Sequence, residues 1–182
     1  MKKIILAAAV LLMFNANAFA KKTNLHKVNG AGDEYQFSLK LDYIPSTYYS
    51  ALNWLGESGQ FTNGAGLTFE GRGDNLWGFQ GFSNYRHIGK IEVLALGGNA
   101  VYHFRDDFSS KIDPYLLIGG QILFAVEGSN SDGFIPVMNI GSGVNFALTK
   151  HLGFHVDAIA SPLVLILPLI ILEGRAGIVI TF

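Results

Sequence analysis

Apolar and polar residues alternate along most of the chain with a period of two, the signature of strands whose two faces meet different surroundings. In the last segment Ala176, Ile178, Ile180 and Phe182 share one face, while Glu173, Arg175, Gly177, Val179 and Thr181 share the other. Leu152, Phe154, Val156 and Ala158 alternate in the same way with Gly153, His155 and Asp157, and Met138, Ile140, Val144 and Phe146 alternate with Asn139, Gly141, Gly143 and Asn145. Between 114 and 126 the apolar set is Leu116, Ile118, Ile122, Phe124 and Val126, opposite Tyr115, Gly119 and Gln121. Leu94, Leu96, Ala100, Tyr102 and Phe104 oppose Asn99 and His103, and Trp77, Phe79 and Tyr85 oppose Gly78, Gln80 and Asn84. Ala65, Leu67 and Phe69 face away from Thr68, Glu70 and Arg72. Tyr35, Phe37, Leu39, Leu41 and Tyr43 face away from Gln36, Ser38, Lys40 and Asp42. The pattern predicts eight strands of roughly nine or more residues, the length a tilted strand needs to cross a bilayer.

Connections are expected to differ between the two ends. Residues 71–75, 105–113 and 149–151 read as compact turns, and 45–63, 127–134 and 161–172 as longer loops, with a short link near 85–90 as the exception. This is the asymmetry of an up-and-down membrane barrel with short turns inside and longer loops outside. The fold class expected is therefore all-β: an eight-stranded antiparallel up-and-down transmembrane β-barrel spanning 34–182. Residues 1–20 read as a cleaved secretory signal: Lys2 and Lys3, an apolar run to Phe14, and small residues offering cleavage after Ala18 or Ala20. Residues 21–33 read as a polar leader.

Composition tells where the apolar residues go. Hydrophobic residues make up 49% of the chain and charged ones only 15%, against roughly 25% in soluble domains. That content excludes disorder, and a formal charge of -1 argues against nucleic acid as a partner. No mature segment supplies about 20 uninterrupted apolar residues, so helices cannot carry the chain across a membrane. The absence of cysteine removes disulfides, thiol catalysis and thiolate metal sites.

Period two alone does not distinguish a membrane barrel from a soluble lipocalin-like carrier, which buries an apolar lumen. The polar face does, because it mixes glycines and amides suited to a tight, hydrogen-bonded interior. Its candidate lumen network comprises Lys40, Asp42, Glu70, Arg72, Gln80, Asn99, His103, Gln121, Asn139, Asn145, His155, Asp157, Glu173 and Arg175, both charge signs together because buried charges must be paired. Tyr35, Tyr43, Trp77, Tyr85, Tyr102, Phe104, Phe146 and Phe182 sit near strand ends, where aromatic girdles meet headgroups.

Segments 99–104, 113–120 and 141–154, and above all the terminal 174–182, resemble the small Gram-negative outer-membrane barrels of the opacity-type and OmpA-like superfamily. The resemblance implies localisation in the cell outer membrane, contact with outer-membrane lipid, and folding by the outer-membrane assembly machinery. Ile178, Ile180 and Phe182 match that superfamily's assembly signal. It does not imply one biochemical activity, because such barrels serve as structural proteins, adhesins, narrow pores and occasionally enzymes.

An acyl hydrolase or transferase would need a serine beside His155 and Asp157, yet Ser142 falls on the opposite face and Ser161 beyond the strand end. His103 and His155 lack metal-ligand spacing, and no glycine loop opens a helix to cradle phosphate. Neither catalytic residues, nor a metal, nor a cofactor is expected, and eight strands leave room for side chains rather than a wide pore. The distinctive remainder is 163–172, read as an external loop without a polar side chain: Leu163, Leu165, Ile166, Leu167, Leu169, Ile170, Ile171 and Leu172. It is either a hairpin extension that packs on itself or a hydrophobic rim for a lipid or protein partner.

Overall fold

Eight strands form in chain order: β1 (Gln36–Ser50), β2 (Phe61–Arg72), β3 (Trp77–Ile88), β4 (Ile91–His103), β5 (Ile112–Glu127), β6 (Phe134–Ala147), β7 (Leu152–Leu163) and β8 (Leu169–Thr181). The computed structural model describes residues 36–50, 61–73, 76–88, 91–105, 110–127, 134–163 and 169–182. The signal and leader readings, Tyr35 and the stretch 164–168 lie outside them. Each strand pairs antiparallel with its sequence neighbours, and β8 pairs with β1, so the sheet closes on itself. Closure satisfies the backbone groups that an open sheet would leave at its edges.

The register fixes how the barrel closes. From Phe37 on β1 the paired residues run through Gly71, Phe79, Ala100, Ile118, Ile140, Ala160 and Leu172, and the circuit returns to β1 at Thr47. The circuit therefore climbs by ten residues, which tilts the strands by roughly 40° and leaves an interior that side chains fill.

The alternation places the two faces as the sequence implies. Large apolar residues lie exposed on the outside, among them Phe79, Leu116, Ile118, Ile140, Val156 and Ile178, while Lys40, Gln80, Asn99, His103, Asn139 and Arg175 are buried within. A soluble carrier has the reverse distribution. Aromatic pairs mark the end where β1 starts and β8 finishes, here the terminal end: Phe37 stacks on Phe69, Trp77 meets Tyr102 edge to face, and Phe146 stacks on Phe154.

Three expectations are corrected. The strands are 12 to 16 residues long, so they absorb much of what read as loop. β1 continues through Pro45 to Ser50, and β3 continues past Tyr85 to Ile88, because the ladder persists where the outward residues turn polar, as at Asn63, His87 and Glu92. The contrast in connection length between the two ends is correspondingly smaller. Finally, 163–172 is not one loop. Leu163 ends β7, and Leu169, Ile170, Ile171 and Leu172 begin β8, with Ile171 buried inside and Ile170 and Leu172 exposed outside. Its apolar run reflects both faces of a strand, one filling the lumen and one facing out. Leu165, Ile166 and Leu167 fall outside the described residues.

Candidate functional site

The lumen is the chemically distinctive part of the molecule. All but one of the polar residues assigned to it from the alternation are buried, and the exception, Asn145, points inward and is partly covered. They form two linked clusters.

In the half nearer the termini, Lys40 Nζ lies 2.9 Å from Glu70 Oε2 and donates to the Tyr115 hydroxyl at 3.2 Å. The same ammonium sits 4.7 Å from the Tyr115 ring centroid. Tyr115 donates to Asp157, and His155 stands between two carboxylates, with Nε2 2.7 Å from Asp42 Oδ1 and Nδ1 3.3 Å from Asp157 Oδ1. Thr68 donates to the other Asp42 oxygen at 2.6 Å. His103 is placed similarly, its Nδ1 2.8 Å from Asp113 Oδ2 and its Nε2 3.5 Å from Glu70 Oε1, and Arg72 reaches Asp113 at 3.2 Å. Glycine makes this packing feasible at Gly143, where a Cβ would come within 2.6 Å of the Tyr115 ring and collide with the Asp157 carboxylate.

Amides carry the network onward. Gln80 donates to Glu70 at 2.7 Å, Asn99 to Gln80 at 3.3 Å, and Asn139 to Asn99 at 3.2 Å. Ser161 donates to Asn139 at 2.9 Å, Gln121 to Ser161 at 3.2 Å, and Arg86 to Gln121 at 3.3 Å. Arg86 pairs with Glu173, which also accepts from Arg175 at 2.6 Å. The Arg175 guanidinium lies 4.4 Å from the Phe82 ring centroid. Among the described residues four cationic side chains, Lys40, Arg72, Arg86 and Arg175, thus face five carboxylates, Asp42, Glu70, Asp113, Asp157 and Glu173.

Arg86, Asp113, Tyr115, Thr68 and Ser161 were not among the residues assigned to the network. Arg86 was hidden by reading 85–90 as a link, although it continues the inward series Gln80, Phe82, Asn84 and is fully buried. Extending that alternation by two residues would have found it. The inward face also turns apolar at the distal end, contrary to a uniformly polar lumen. Ile44, Val93, Ala95, Leu123, Val137 and Ile171 are buried there, Val93 pairing with Arg86 and Ile171 lying two residues beyond Glu173 on β8.

Among the described residues Ser161 lies inside β7 on the inward face rather than beyond its end, and neither it nor Ser142 is bonded to His155. Both ring nitrogens of His155 face carboxylates, the Ser161 hydroxyl is held by Asn139, and Ser142 points outward. His103 and His155 are engaged by separate carboxylates. On the last strand Ile178, Ile180 and Phe182 face out, with the Phe182 amide donating to the Phe37 carbonyl at 2.9 Å.

Among solved structures the chain is similar to the Neisserial surface protein A, NspA, with 19% identity and a TM-score of 0.64, covering 80% of this chain and 97% of that one. It is also similar to the outer membrane protein OprG from Pseudomonas aeruginosa, at 13% identity and a TM-score of 0.57 over 82% of this chain and 97% of that one. A third is Ail, the attachment invasion locus protein of Yersinia pestis, in complex with the heparin analogue sucrose octasulfate. It shows 14% identity and a TM-score of 0.55 over 82% of this chain and 99% of that one. No protein-family model and no curated protein matches the chain. The likeness establishes the fold, that of small eight-stranded transmembrane β-barrels.

Proposed function

We propose that this protein is an integral β-barrel of a Gram-negative outer membrane, with a structural or surface-interaction role rather than a catalytic or diffusive one. The observation that carries the reading is the distribution of burial: charged and amide side chains fill the lumen, and large apolar side chains cover the outside. Such an outer face suits hydrocarbon, and such an interior occupies the space a diffusing solute would need. Residues 1–20 serve as the export signal, 21–33 as a leader, and Ile178, Ile180 and Phe182 as the element read by the outer-membrane assembly machinery. Specificity then resides in the external connections and in the apolar segment around Ile170 and Leu172, where a lipid or protein partner would be met.

Membrane fractionation and gel mobility test the reading together. The protein should be recovered with outer membranes and migrate faster unheated than boiled, and recordings in planar bilayers should show no large conductance steps. Recovery as a soluble periplasmic protein would overturn it, and steady large conductance would replace it with a pore.

A further inference from the structure

The ladder that closes the barrel is interrupted. Between β1 and β8 the paired residues run from Ser38 and Thr181 to Tyr43 and Ala176, skip Ile44 and Pro45, and resume from Ser46 and Glu173 to Ser50 and Leu169 in the same register. The odd residues of β1 turn their peptide groups toward β8, as the Phe182 amide bound to the Phe37 carbonyl shows. Pro45 is the odd residue opposite Gly174, and it has no N–H to give, so the Gly174 carbonyl receives no donor across this seam. Prolines within sheets are confined to edges for this reason. Here one stands in the seam of a closed sheet, on the outward face, and no neighbouring strand supplies the missing bond.

The groups in and above the gap are those that seal the lumen. Ile44 on β1 and Ile171 on β8 are both buried in the distal apolar layer, and Glu173, also on β8, holds Arg86 and Arg175. Separation of β1 from β8 beyond Pro45 would part Ile171 from the Ile44 side of that layer and Glu173 from β1, while the terminal half of the seam stays paired.

We infer that the β1–β8 seam distal to Pro45 is a built-in opening point, a lateral strap whose release unseals the distal lumen while the rest of the barrel stays closed. The inference rests on the barrel reading of the previous subsection.

Residue-resolved amide exchange on the folded, vesicle-embedded protein tests it. On β8 the even residues donate toward β1 and the odd ones toward β7, following the Thr181 amide bound to the His151 carbonyl. Ile170 and Leu172 should exchange about tenfold or more faster than Ile171 and Glu173 in the same segment, and faster than Ala176 and Ile178 beyond the gap. Pro45→Ala, which restores a donor opposite Gly174, should slow Ile170 and Leu172 toward their neighbours. Uniform protection along β8 in the wild-type protein would overturn the inference, as would Pro45→Ala that leaves the pattern unchanged. Should Pro45→Ala not assemble, the wild-type contrast between even and odd amides still decides. Loss of heat-modifiable mobility in the wild-type protein would instead point to failure of the barrel reading itself.

Discussion

Arg86 illustrates how much a single inward residue carries. Its guanidinium is buried, paired with Glu173 and bound to Gln121, so truncation leaves a carboxylate that water does not reach with Arg175 as its remaining cation. Arg86→Ala is expected to destabilise the folded barrel by about 3–5 kcal/mol, the typical penalty for breaking a buried pair from one side. Arg86→Met combined with Glu173→Leu should recover little of that loss, since Glu173 also accepts from Arg175 and its removal leaves that buried guanidinium without the carboxylate it donates to. Urea titration of the barrel in vesicles checks both, and a double variant as stable as the wild-type protein would show that Arg175 does not depend on Glu173. The lumen residues on alternating strands were legible because charge recurs every second position. Tyr115 and Asp113 were less so: a tyrosine suits either face, and an aspartate before a proline reads equally well as part of a turn.

At the scale of strands, the alternation marks all eight and their two faces, whereas it misplaces strand ends and connections. The reason is that period two is visible only while the two faces differ in polarity. At the distal ends of β1 and β3 the outward residues become polar, and in β8 the inward residues become apolar, so the contrast fades while the hydrogen-bond ladder continues. The segment around 169–172 is the clearest case, because an inward isoleucine between two outward aliphatic residues erases the pattern altogether. The structure separates their roles. Ile171→Asp should lower the assembled, heat-modifiable fraction severely by placing a carboxylate in the distal apolar layer, while Ile170→Ser should leave assembly close to normal. Equal effects of the two substitutions would contradict the inward and outward assignment.

For the whole molecule, the ten-residue climb of the pairing circuit is a condition on length rather than on composition. Side chains can be exchanged on either face without disturbing it, but the number of residues in a strand cannot change independently of the others. Removing one residue from the middle of β7 would turn part of that strand over, sending His155 or Asp157 toward hydrocarbon and an aliphatic residue into the charged interior. Removing two would keep the faces but force the circuit to close on a different climb, and so alter tilt and circumference for every strand at once. A sequence that folds this way is therefore free to drift by substitution while its strands are locked in count, and its insertions and deletions are confined to the connections.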